Sequence, residues 1–169
     1  MAQGIQQLKG CLVGPRIQAG LLRATPAGLE GKVATNVFIE DLVRRELKLA
    51  PHHIVYLGDS NYYLPTQQEI QTILSASQVD RHKWISDKFD CDDFAYALKG
   101  EMSTHAYETT DLKYGLCVGI VWGNFDWVEG YHAINWCITS EEKLLLIEPQ
   151  NDNFYPSSHC TDGVSLLLV

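Results

Sequence analysis

Residues 132–139, His-Ala-Ile-Asn-Trp-Cys-Ile-Thr, and 143–150, Lys-Leu-Leu-Leu-Ile-Glu-Pro-Gln, are two strand-like runs joined through a short polar turn at Thr139-Ser140-Glu141-Glu142. So short a link predicts an antiparallel hairpin, because parallel neighbours need a crossover of a dozen or more residues. A three-residue loop at 139–141 pairs Trp136 with Leu144, Ile134 with Leu146 and His132 with Glu148. A five-residue loop slides the pairing by two, which puts Gln150 opposite His132 and Glu148 on the diagonal. Either register leaves His132, Glu148 and Gln150 on one face, since strand side chains alternate with period two. Directly opposed residues lie about 5 Å apart at Cβ. The carboxylate can then hold one imidazole nitrogen and leave the other for a second partner. Taken singly, each is also what an ordinary strand end carries; the cross-strand pairing is what points to chemistry. Gly130-Tyr131 just before predicts a turn that leaves the imidazole accessible at a sheet edge.

Around this hairpin the chain reads as helices first and an antiparallel sheet afterwards, an α+β arrangement. Residues 1–34 are broken by Gly14, Pro15, Gly20, Pro26, Gly28 and Gly31 and read as loops with short extended pieces. Ile39, Leu42, Val43 and Leu47 recur at helical spacing between Asn36 and Leu49, and Pro51 stops that helix. A short strand is expected at His53–Leu57. A second helix opens at Pro65-Thr66 and buries Ile70, Ile73 and Leu74. A third runs from about Asp90 to Lys99, with Gly100 as its terminator. Leu116–Trp122, Ala133–Thr139, Leu144–Glu148 and Val164–Val169 are the expected strands. The last is apolar and is expected to pair internally; at an edge it would support a homodimer.

The third helix carries the other candidate group. In Phe89-Asp90-Cys91-Asp92-Asp93-Phe94-Ala95, Asp90 is a good N-cap and Asp93 stands where an acid can reach back to it. Cys91 is then the first helical residue, where the positive end of the helix dipole favours thiolate. A cysteine there, a histidine and a carboxylate on the sheet are the parts of a nucleophile, base and orienting acid. Three carboxylates beside Cys91 oppose that reading, because like charges raise a thiol's pKa. Either they only cap the helix, or a divalent cation of the calcium type neutralises them. Asn124, Asp126 and Glu129 are further oxygens in the loop before His132.

Bulk properties narrow the classes. The chain has 169 residues, 46% of them hydrophobic and 20% charged, which suits one soluble globular domain. A net charge of −8 argues against nucleic acid, which calls for clustered Lys and Arg. No apolar run approaches the roughly 20 residues that span a bilayer. The N-terminus lacks a secretory pattern, so a cytoplasmic protein is the expectation. Five cysteines at wide spacing, Cys11, Cys91, Cys117, Cys137 and Cys160, point to neither a disulfide framework nor a structural zinc site. Cys117 and Cys137 read as small buried hydrophobes.

Trp84-Ile85, Phe89 to Ala95, His132-Ala133 and Ile147-Glu148-Pro149-Gln150, in that order, resemble the agglutinin C-terminal family, the second domain of mushroom chimerolectins such as the fairy-ring mushroom agglutinin. The resemblance covers about residues 60–155. It implies a papain-like, calcium-dependent cysteine protease domain in which Cys91 is the nucleophile, His132 the base, Glu148 the third member and Gln150 a support for the histidine. It also implies calcium near Asp92 and Asp93. Those chimerolectins carry an N-terminal sugar-binding β-trefoil for which this chain has no room, and residues 1–50 match nothing in them. The leading expectation is a cysteine hydrolase acting on a peptide or protein substrate. An amidase or transglutaminase-like acyl transfer by the same triad is a second, and a catalytically silent binding or assembly domain with a papain-like fold is a third. Trp122, Phe125, Trp127 and Tyr131 crowd the approach to His132 as core, substrate wall or ligand platform.

Overall fold

The computed structural model describes residues 30–169. Its elements are β1 (Lys32–Thr35), α1 (Asn36–Glu46), β2 (Val55–Tyr56), β3 (Asn61–Leu64), α2 (Gln67–Ala76), α3 (Cys91–Glu108), β4 (Val118–Phe125), β5 (Tyr131–Ile138), β6 (Leu144–Glu148), β7 (Asn153–Pro156) and β8 (Cys160–Leu168). The six-stranded sheet has the order β2-β8-β4-β5-β6-β7, antiparallel except where β2 runs parallel to β8. Helices and an antiparallel sheet make the chain α+β, as the order of its hydrophobic patterns predicts. β1 and β3 form a separate antiparallel pair.

The hairpin takes the second of the two registers. Ile138 pairs with Leu144, Trp136 with Leu146 and Asn135 with Ile147, so the loop spans five residues, 139–143. β5 is a central strand held by β4 and β6, and His132 is only 8% exposed. The expectation of an accessible imidazole at a sheet edge is therefore corrected: Gly130 does turn the chain, at φ +84°, but it feeds a strand buried on both sides. β8 lies between β2 and β4, so it pairs internally.

Strand alternation sorts the core into two layers. Ile134, Trp136 and Ile138 of β5 pack with Leu144 and Leu146 of β6 and with Ile39, Leu42 and Val43 of α1. Cys137 and Ile147 face the other way, onto Ile70, Ile73 and Leu74 of α2 and Phe94, Leu98 and Met102 of α3. Residues 36–46, without counterpart in the family resemblance, are thus built into the core. Thr66 caps α2 and forms a reciprocal box with Glu69, at 3.1 Å from Glu69 N to Thr66 Oγ1 and 2.6 Å from Thr66 N to Glu69 Oε2. Pro65 stands just before that cap rather than inside the first turn.

α3 continues nine residues beyond the expected stop at Lys99. A glycine inside a helix costs about 1 kcal/mol relative to alanine, and burial of Met102 one turn past Leu98 outweighs that. Gly100 itself is on the open side, with nothing near the position of a Cβ. Cys117 and Cys137 are fully buried, and burial pushes the Cys117 thiol up to about 12. Cys11 lies outside the described residues.

The turn from β6 to β7 holds an unusual carboxylate. Asp152 has a left-handed backbone, φ +58°, and its Oδ1 is buried with no hydrogen-bond partner among the described residues. Burial, and then the charges of Asp80 and Glu101, push its carboxyl up to about 6 from 3.8. A raised carboxyl pKa penalises the folded state above it: at pH 4 and below the effect vanishes, and above about pH 6 it is complete. We expect Asp152→Asn to gain about 1–2 kcal/mol at pH 7, after solvent screening is allowed for. Asparagine tolerates the left-handed backbone and keeps a donor for the neighbouring acids. Urea unfolding from pH 4 to 7 should show the wild type losing ground to the variant as pH rises; a constant difference would refute the assignment.

Candidate functional site

Cys91 is the first residue of α3, as its capping pattern predicts. Asp93 Oδ2 accepts the Asp90 N–H at 3.2 Å, while Asp90 Oδ2 accepts from Asp87 N at 3.0 Å. Both acids thus hold the loop-to-helix junction. The thiol is half-buried and packs with Trp122 against Ala95, Ile120 and Ala133. Its pKa is raised, first by burial, then by the charges of Asp90 and Asp92; the Ala133 and Asp92 backbone amides work in the opposite direction. At neutral pH Cys91 is a thiol, so the helix dipole loses to desolvation and to the flanking acids.

His132 and Glu148 meet as the shared face predicts. Nε2 of the imidazole lies 2.8 Å from Glu148 Oε2, and the Gln150 backbone N–H donates to Glu148 Oε1 at 3.2 Å. Gln150 thus supports the pair through its main chain. Glu148 is 5% exposed. The ring also stands edge-on to Phe125, at 6.4 Å between centroids, on the layer that contains α1. Cys91 contacts Ala133, the next residue of β5. Among the described residues no hydrogen bond joins the thiol to the imidazole.

Asp90, Cys91 and Asp92 each offer one ligand atom within 4.8 Å of the others. Asp92 has its carboxyl raised, chiefly by a hydrogen bond to Asp90, and Asp90 has its own lowered by that same bond. Repulsion between the two carboxylates disfavours both being charged at once. Of the expected metal residues, Asp92 is in this group and Asp93 is engaged in the cap; Asp90 is the member that the sequence reading assigned to capping. Asn124 and Asp126 are occupied elsewhere, Asn124 Nδ2 with Asp162 at 2.8 Å and Asp126 with His159 Nδ1 at 2.7 Å.

The aromatic residues divide. Phe125 is core, and Trp127 stacks flat on Tyr155 at 3.9 Å. Trp122 is half-buried and leans on Tyr96 of α3, with ring centroids 5.8 Å apart, while Tyr96 and Tyr131 are each 51% exposed. Tyr96 was missed from sequence; its signal is an aromatic on the polar side of α3, five residues after Cys91. Cavities of about 210 and 260 Å³ are present elsewhere, and Cys91, His132 and Glu148 line neither.

The family described as Agglutinin C-terminal matches residues 62–154, more than half of the chain. Among solved structures, a complex of PSL1a with E64 superposes with a TM-score of 0.71 at 26% identity, over 81% of this chain and 51% of that one. A Polyporus squamosus lectin bound to the human-type influenza-binding epitope Neu5Aca2-6Galb1-4GlcNAc gives 0.68 at 26% identity, over 81% and 49%. The chain thus spans about half the length of these structures. No curated protein sequence matches it. These findings overturn the expectation of a peptide-cleaving cysteine hydrolase: the matching family is an agglutinin family, and a neighbour is a lectin carrying a sugar. No helix among the described residues is long and apolar enough to cross a membrane.

Proposed function

Because the chain belongs to the agglutinin C-terminal family, we propose that it is a catalytically silent binding domain with a papain-like layout, taking a glycan on the face that carries Tyr96 and Trp122. The observation that carries this reading is the Tyr96–Trp122 pair, open to solvent above the neutral Cys91 thiol. Aromatic faces give large contact area at little conformational cost, and polar groups beside them fix orientation. Asp90 and Asp92 supply such groups. Their ligand atoms lie within 4.8 Å of each other, so calcium held by these two carboxylates would order the helix start next to the aromatics. His132 and Glu148 act in this reading as a buried structural pair.

The test measures binding and turnover on the same protein. The trisaccharide held by the Polyporus squamosus lectin is titrated by NMR, with and without calcium. Binding is expected, and Trp122→Ala should weaken it about tenfold or more, as loss of an aromatic anchor does. Peptide libraries should remain uncut, E64 should leave no adduct on Cys91, and the alkylation rate of Cys91 should titrate above the ordinary cysteine range. Peptide cleavage that disappears in Cys91→Ala would overturn the reading, as would the absence of any saccharide binding by the wild type.

A further inference from the structure

The cavity of about 210 Å³ lies at the other end of α3, lined by Lys99, Ser103 and Ala106 of the helix and by Asp59, Tyr62 and Leu116. Lys99, Ser103 and Ala106 recur at i, i+4 and i+7, so they share one helix face. At 1.5 Å per residue, Lys99 stands about 12 Å along the axis from Cys91, and the cavity is independent of the aromatic face.

Its charges are incompletely matched. Lys99 is partly buried, and no carboxylate of the described residues lies within ion-pair distance of its amine. Burial lowers its pKa; Asp59 is near enough to pull it back upward without pairing with it. The Cys117 thiol behind it is neutral, because burial pushes that group up to about 12. Asp59 is exposed, and its side chain accepts no hydrogen bond among the described residues. The hydroxyls are partly committed: Tyr62 accepts the Asp59 N–H at 2.7 Å, so it retains its own proton to donate, and Ser103 Oγ donates to the Lys99 carbonyl at 3.0 Å. A partly buried cation that Asp59 compensates only from beyond ion-pair distance is costly, and a carboxylate entering the cavity to pair with it directly would relieve that cost.

We infer that this cavity is a binding site for a small amino carboxylate, whose carboxylate pairs with Lys99 and is reached by the Tyr62 hydroxyl, and whose ammonium pairs with Asp59. A simple carboxylate would satisfy only the inner half, and a simple amine only the outer half. A charge-assisted hydrogen bond is worth about tenfold or more in affinity, so a ligand with both groups is separated from either fragment by about that factor.

The probes are β-alanine, propionate and propylamine, used on the full chain. Lysine amines are labelled by reductive ¹³C-methylation, which preserves their charge, and the Lys99 signal is identified by its loss in Lys99→Arg. β-Alanine is expected to raise the pKa read from that signal and to bind about tenfold more tightly than propionate, with propylamine weaker still. Asp59→Asn should remove the advantage of β-alanine over propionate. The wild-type titration is readable even if a Lys99 variant folds poorly. Equal affinity for β-alanine and propionate, or a Lys99 signal that none of the three moves, would overturn the proposal.

Discussion

Glu148→Ala is expected to lower stability by about 2–4 kcal/mol, because it strips two buried donors at once. Glu148 Oε2 holds His132 Nε2 at 2.8 Å, and Oε1 takes the Gln150 amide at 3.2 Å. His132 is 8% exposed, so water cannot readily replace the lost acceptor. Glu148→Gln retains one acceptor oxygen and should lose less than half as much. Urea denaturation of both variants measures the difference. If alanine and glutamine are equally mild, the pair does not hold the end of β5, and its place in the structure needs another explanation.

Trp136→Ala should cost about 3–5 kcal/mol, in the range for large aromatic truncations in a core. The indole is fully buried between the sheet and α1, and its Nε1–H donates to the Ile120 carbonyl at 3.3 Å. Truncation therefore leaves both a large void and an unpaired carbonyl. For a chain of this size the melting temperature should fall by roughly 10 °C. Trp136→Phe separates the two effects, since it keeps most of the volume and removes the donor. A melting curve within a degree or two of wild type would mean that α1 collapses onto the sheet and refills the space.

Much of this architecture is legible in the sequence where the deciding contacts are local. The helix start at Cys91 follows from Asp90 and Asp93, and the shared face of His132 and Glu148 follows from alternation alone. The choice between two hairpin registers is not local: Trp136 opposite Leu146, rather than Leu144, is decided by how the whole sheet packs on α1. The β1–β3 pair and the parallel seam of β2 on β8 depend on distant partners, and β7, though it only folds back on β6, is too short to leave a periodic signal. α3 outran Gly100 because the burial of Met102 is a tertiary effect.

At the candidate site the sequence named the residues better than their relations. Cys91, His132 and Glu148 stand on three elements, α3, β5 and β6, and alternation correctly joined the last two. What spacing could not reveal is that burial on Ala133 and Trp122 would raise the thiol's pKa, with two of the flanking acids hydrogen-bonded to each other. Nor could it assign an exposed face to Tyr96, because a helical position is only inward or outward once its neighbours are placed. The function expected from those residues was corrected by the agglutinin family match and the lectin structures: identity and order of groups do not fix their contacts.

The place of β8 in the sheet has a consequence for synthesis. β4 is made just before β5, with which it pairs on one side, but its other neighbour, β8, comes last among the described strands. While a ribosome is still producing the segment after β6, the outer edge of β4 through Ile120, Val121 and Trp122 has no partner, and the apolar layer beneath it is uncovered. An open strand edge of that kind invites pairing with other chains. The nascent protein therefore passes through a window in which it is shielded only by its own speed of completion or by a chaperone, and the window closes when the final strand slides between β4 and β2.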